Sequence, residues 1–355
     1  MSRRDTSAAS GDSASTDGEG FVSEMSVSDS DDTDRPIRVL QLASSEESFF
    51  TQQVEALEAY GVDCSTLVVQ GDPAEDDPRG LRAYLNSYRQ LLSEVDDSYD
   101  LVHANYGLVG PLALAQPVRP VVLTLWGSEV MGYSNRLDRI TRFAARHSDA
   151  VIAPNEAVSR RLDCDHEVVP FGVDLDLFRP IDRKEARKRL GWNPSKQYVL
   201  FPYDTDREVK NFERAERIVS EAVVNAELKQ ISGRDYEEMP YLMNACDALL
   251  VTSVRESGPM VVREAAACNV PVVSTDVGFA ADTLAGVTNS YVADTDSELV
   301  AALEAVLRSA GRSDGRERIT EHTTRRMATQ LYSIYRDLLD DTAGVRTPPP
   351  LGGED

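Results

Sequence analysis

A chain of 355 residues, 41% of them hydrophobic, has the material for two packed cores. A net charge of −23 argues against a nucleic-acid partner, which would need a basic stripe. No run approaches the roughly 18 uninterrupted apolar residues of a membrane-crossing helix, and no apolar run follows Arg3-Arg4 as a secretion signal requires; the expected location is the cytoplasm.

Residues 1–35 hold nine acids against three Arg and little that is apolar, so they read as a disordered acidic tail. Strand and helix then alternate. Apolar runs at 37–43, 64–70, 101–104, 121–126, 150–154 and 167–170 predict strands, and helical spacing falls at 49–60, 81–95, 108–115 and 135–147. Residues 171–197, with a basic helix at 183–190, read as a hinge. The alternation restarts with strands at 198–204, 228–232, 247–253, 271–276 and 290–293, and helices at 211–225, 239–246, 259–267 and 296–310. A last helix is expected at 320–339, followed by a second disordered tail at 341–355. Short apolar strands between helices predict α/β architecture: two doubly wound parallel sheets facing a crevice at their strand carboxyl ends. The expected division is 36–175, 176–320 and a crossover helix at 321–340.

Composition adds two readings. Only five of the 37 basic residues are Lys. Acid-rich, Lys-poor surfaces fit a salt-loving organism, where ions screen self-repulsion; an acidic partner-binding face is the alternative. Four scattered Cys (64, 164, 246, 268) read as core fillers, and four distant His (103, 147, 166, 322) have no metal-ligand spacing.

Chemistry concentrates in DALLVTSVRESGPMVVREAAACNVPVVSTDVG (247–278). A buried strand ends there, and Gly258-Pro259 opens a helix whose free amides attract anions. Gly258 would let a phosphate approach the backbone. Glu256 and Glu264 flank that point and can accept hydrogen bonds from hydroxyls on either side of a diphosphate. The segment FPYDTDREVKN (201–211) places Arg207 and Lys210 ahead of a helix that Asn211 could cap. Two cations there oppose the helix dipole unless an anion joins them. Asp204-Thr-Asp206 is too short a pattern to carry a metal assignment in so acidic a chain.

The two Glu eight residues apart, the Gly-Pro between them and the VPVVSTDVG strand resemble the donor signature of retaining GT-B glycosyltransferases, in particular family 4, over about residues 37–339. The resemblance implies transfer of a sugar from a nucleotide-diphosphate donor. Glu256, Lys210 and Arg207 would be catalytic. Arg207, Lys210, Glu256, Ser257, Gly258, Pro259, Met260 and Glu264 would hold the donor. The usual Arg stands five before Lys, which here is Thr205; Arg207 stands three before. VVLTLWGSEVM (121–131) resembles the family's His-Gly-Ser-Asp loop, with Gly127, Ser128 and Glu129 in place and Trp126 where His is common. With His103 of LVHANYG these form the implied acceptor side of the cleft, and Asn105 lies in the same stretch. Trp stacks on sugars but does not shuttle protons.

No cofactor and no obligatory metal are implied. Relatives act on lipid carriers, glycans and small molecules, so peripheral attachment to the inner membrane face is compatible with the resemblance. The acidic composition points within the family to a halophilic archaeon. A sugar-nucleotide epimerase of the same fold and a non-catalytic sugar-nucleotide-binding subunit are the alternatives.

Overall fold

The computed structural model describes residues 35–69, 80–132 and 134–345. The acidic-tail reading of the first 34 residues and that of 346–355 lie outside the described residues. The first half runs β1 (Arg38–Ala43), α1 (Ser48–Ala59), β2 (Asp63–Val68), α2 (Leu81–Glu94), β3 (Leu101–Asn105), α3 (Gly110–Ala115), β4 (Val121–Thr124), α4 (Asn135–His147), β5 (Ala150–Ala153), α5 (Glu156–Ser159) and β6 (Glu167–Val168). The second runs α6 (Arg183–Leu190), β7 (Gln197–Phe201), α7 (Phe212–Glu221), β8 (Ala226–Gln230), α8 (Met239–Ala245), β9 (Ala248–Val251), α9 (Met260–Ala267), β10 (Val272–Ser274), α10 (Ala280–Leu284), β11 (Tyr291–Val292), α11 (Asp296–Ser309), α12 (Gly315–Arg318) and α13 (Thr324–Val345).

The strands form two parallel sheets, ordered β2-β1-β3-β4-β5-β6 and β11-β10-β9-β7-β8. Burial explains why the sequence reads this way. Central strands β3, β4 and β9 are buried at every position, as helices on both faces demand, whereas edge strand β8 is half-buried throughout. Chain order reverses between β1 and β3 and again between β7 and β9. Doubly wound sheets bind ligands at such points, beyond the strand carboxyl ends.

Local chemistry sets several boundaries. Ser134 caps α4 by accepting from the Leu137 amide, and Thr295 with Glu298 forms a reciprocal capping box on α11. Helix α7 stops at Glu221, four residues short of the sequence expectation; the β-branched Val223 and Val224 follow it. The short helices α5, α10 and α12 span at most five residues, too few for a periodic signal.

The chain passes between the halves twice, side by side. Val173 donates to His322 O (2.9 Å), and Thr324 donates to Val173 O (3.2 Å). Helix α13 then packs on the first sheet. Met327, Ala328, Leu331, Ile334 and Tyr335 share a core with Val39, Leu57, Leu101, Val122 and Ile152. It continues to Val345, so residues 341–345 are helical where a tail was expected.

Tyr335 anchors this helix. It is fully buried, with its hydroxyl 2.6 Å from His103 Nδ1 and 3.5 Å from Gln41 Nε2. His103 Nε2 lies 2.7 Å from Thr124 Oγ1, and burial pulls the imidazole pKa down to about 3. The ring is therefore neutral and structural. Tyr335→Phe leaves these buried polar atoms short of a partner and should cost about 1–3 kcal/mol. Tyr335→Ala adds a cavity and should cost about 3–5 kcal/mol. Urea unfolding of both variants measures the two losses.

Candidate functional site

Both sheets deliver their strand ends to one cleft of about 670 Å³. From the first sheet come Glu47, Ser48 and Phe49 after β1, Trp126 and Ser128 after β4, and Asn155 after β5. The second sheet supplies Tyr203, Arg207 and Lys210 after β7, Tyr236 after β8, residues 256–261 and Glu264 after β9, and Phe279 after β10.

Lys210 sits in a short 3-10 turn (208–210) whose carbonyl accepts from Thr252 Oγ1 (3.0 Å), tying it to the end of β9. Its ammonium is nearly sealed from solvent, with 5% of the side chain exposed. It makes an ion pair with Glu256 and lies 4.0 Å from the centroid of the Tyr203 ring. Burial lowers its pKa, and Glu256 opposes that shift. Ser253 Oγ donates to the same Glu256 oxygen at 2.8 Å. Arg207 is exposed at the rim. Thr205, at the spacing usual for the Arg, does not line the cleft. Asn211 takes a left-handed conformation (φ +57°) and makes no side-chain cap on α7. Asp204 uses its carboxylate on the Asp206 amide (3.0 Å), a turn-closing bond. Among the described residues, no three His, Cys, Asp or Glu gather as a metal site.

Glu264 lies in the same cleft as Lys210 and is 4% exposed. Its Oε1 accepts from Tyr236 Oη at 2.7 Å. Burial drives its pKa up to about 7, only partly offset by that bond. A carboxylate kept at such a cost in a cleft is a functional signature. Gly258 has a packing role that its sequence reading did not include: a Cβ there would sit 2.3 Å from the Phe279 ring. Pro259 is the N-cap residue of α9, and Met260, its first residue, packs on the first-sheet core.

On the opposite wall, Trp126 stands edge-on to Phe49, with centroids 4.9 Å apart, and Phe49 contacts Phe171 at 4.8 Å. The result is an aromatic surface on the first domain's side of the cleft. Gly127, at φ +99°, touches across the cleft: a Cβ would fall 2.5 Å from Ser257 Cβ. Asn155 Nδ2 binds Ser257 O at 2.6 Å. Ser128 lines the cleft.

Three residues expected on the acceptor side need correction. His103 lies within β3 and faces α13, away from the cleft. Asn105 is equally buried, bonded to Gln41 and Gln53. Glu129 is fully buried and accepts from the Trp126 amide (2.8 Å) and the Gly107 amide (3.2 Å). It braces the loop that presents Trp126 and does not contact the cleft. Tyr203, Tyr236, Asn155, Phe171 and Phe279 are cleft residues that the motif reading missed. Their position just beyond a parallel strand's end was the available signal.

Known proteins resemble both halves. Residues 42–177 match the family model "Glycosyltransferase Family 4", and residues 183–326 match "Glycosyl transferases group 1". A D-inositol 3-phosphate glycosyltransferase of Mycobacterium marinum is 25% identical over 313 residues, 70% of this chain and 66% of that protein. Another, from Catenulispora acidiphila, is 31% identical over 165 residues, 39% of this chain and 38% of its own length. The chain thus spans less than two thirds of these curated relatives. Among solved structures, sucrose-phosphate synthase from Thermosynechococcus elongatus superposes with a TM-score of 0.73 at 19% identity, over 86% of this chain and all of that one. Anabaena Alr3699/HepE in complex with UDP superposes with a TM-score of 0.63 at 16% identity, over 85% of this chain and 100% of that one. The structural likeness establishes the GT-B fold. Two glycosyltransferase family models thus match, one on each domain and each over less than half of the chain.

The raised Glu264 pKa gives a stability prediction. Its folded pKa lies above the ordinary value of 4.5, so folding disfavours the ionised form. Stability from this group is full below pH 4.5 and is lost as pH rises through about 7. Glu264→Gln should therefore stabilise the protein by up to ~3 kcal/mol at pH 8 and by little at pH 4.5. Urea midpoints of wild type and variant at both pH values, at equal salt, measure this.

Proposed function

We propose that this chain, which carries the two domains of a GT-B glycosyltransferase, transfers a sugar from a nucleotide-diphosphate donor to an acceptor hydroxyl with retention of configuration. The observation that carries the reading is the convergence of Lys210, Arg207, Glu256 and Glu264 with the start of α9 on one cleft. The UDP complex of the structural neighbour from Anabaena supports a nucleotide as the bound species.

In this reading the donor diphosphate lies at the start of α9, between Lys210 and Arg207. As the bond from the anomeric carbon to the leaving oxygen stretches, negative charge gathers on the diphosphate. The two cations and the free amides around Gly258 and Met260 stabilise it without reorganising. Glu256 shares the Lys210 ammonium before the donor arrives. It then accepts from sugar hydroxyls once the diphosphate competes for the cation. Glu264 accepts from the ribose. The acceptor enters along the aromatic wall of Trp126 and Phe49 and attacks from the leaving-group face, and a phosphate oxygen takes its proton. Trp126 offers a stacking surface and no titratable group, so it orients the acceptor or donor ring and moves no proton. The chain's residues supply this chemistry without assigning a metal. Among the described residues no helix is long and apolar enough to cross a membrane, which leaves a lipid-linked acceptor compatible with attachment at a membrane face.

A thermal-shift screen in molar KCl tests the donor assignment. UDP-, GDP-, ADP- and dTDP-sugars would be compared, and at least one should raise the melting temperature by mass action. With that donor and an acceptor pool, Lys210→Ala and Glu264→Ala should each cost about 2–4 kcal/mol in transition-state terms, comparable to losing an oxyanion donor. Proton NMR of the first product should show the donor's anomeric configuration. Unchanged kinetics in either variant would remove the donor-site assignment; an inverted product would remove retention alone.

A further inference from the structure

A hydrogen-bond chain crosses the domain junction at the nucleotide end of the cleft. Gln52, on α1, is 7% exposed. Its Nε2 donates to Ser48 O at 3.2 Å and to Tyr236 Oη at 2.8 Å. A carbonyl oxygen only accepts, so the Ser48 contact fixes which end of the amide meets the phenol. Tyr236 must therefore accept from Gln52 and direct its single proton to Glu264 Oε1, 2.7 Å away. The chain runs one way, from the first domain's helix through the phenol to the second domain's buried carboxylate. Gln52 Oε1 is left buried without a partner, so the amide is held in place for its donor side alone. The Tyr236 ring is fixed edge-on against Phe178, with centroids 5.2 Å apart.

We propose that Tyr236 is a positioning residue that ties Glu264 to α1, so that a nucleotide held by Glu264 and closure of the first domain over the cleft favour each other. Tyr236 occupies one carboxylate oxygen and leaves lone pairs of the other for ribose hydroxyls, since an ionised carboxylate offers about four acceptor positions. The bond is charge-assisted and strong only while Glu264 is ionised and correctly turned. Whatever orients Glu264 for the nucleotide also orients the acceptor that the phenol needs to hold Gln52. Linkage makes the effect reciprocal: a nucleotide that strengthens closure binds more tightly when closure is strengthened. The identity of the ligand rests on the donor reading; the existence of the latch does not.

The test uses the full chain with dyes at Ser93→Cys and Ser220→Cys, exposed positions on α2 and α7. Interdomain distance is read by single-molecule energy transfer, first without nucleotide. Tyr236→Phe and Gln52→Leu should each shift the population to a longer distance. The double variant should go no further, because both break one chain. Glu264→Gln gives the phenol a neutral acceptor in place of the charged one and should shift the distance less than Tyr236→Phe does. UDP, GDP, ADP and dTDP are then added in turn. For whichever binds wild type, Tyr236→Phe and Gln52→Leu should weaken affinity at least about five-fold. Gln52→Leu decides the matter if Tyr236→Phe does not fold. Wild-type distances in both single variants would overturn the proposal. Altered distances with no nucleotide binding to wild type would uphold the latch and remove the donor reading instead.

Discussion

A lysine ammonium taken almost wholly out of water governs this cleft. Lys210 is held by Glu256 and by the face of Tyr203, and burial works against its charge. A buried pair of this kind adds little net stability, because desolvation offsets the attraction. Its value lies in readiness. In the proposed function, a cation in such low-dielectric surroundings would attract a diphosphate more strongly than a solvated one. The same logic applies to Glu264, whose carboxylate is kept at a pKa of about 7 by burial and steadied by one phenol.

The rest of the fold keeps those groups in place. Parallel strands end at the cleft from both sides, so each loop after a strand adds one or two side chains. The domains then meet through tight contacts: Gly127 against Ser257, Asn155 on the Ser257 carbonyl, and Arg263 on the Phe171 carbonyl at 2.6 Å. Helix α13, leaving the second domain, fills the back of the first sheet with Tyr335. These contacts, like the Gln52–Tyr236 bond, join the two domains beside the cleft.

Much of this was legible in the sequence. The order of strands and helices followed from apolar runs, because central parallel strands are buried on both faces and are largely apolar. Glu256, Gly258, Lys210 and Glu264 stood in contiguous segments whose local chemistry is self-explanatory. What failed was side-chain direction. His103 and Glu129 neighbour cleft loops in sequence, yet one lies inside a strand and the other folds back beneath its own loop. What was missed was distance: Gln52 and Tyr236 are 184 residues apart, and neither carries a motif. Their meeting depends on how the domains pack, which periodicity does not encode.

The most direct measurement is a crystal structure of the chain with the nucleoside diphosphate that protects it from heat. The account predicts the diphosphate within hydrogen-bonding distance of Lys210 Nζ and the α9 amides, and the ribose diol on the free oxygen of Glu264. A nucleotide bound elsewhere, with the Lys210–Glu256 pair undisturbed and Glu264 facing no sugar, would contradict it.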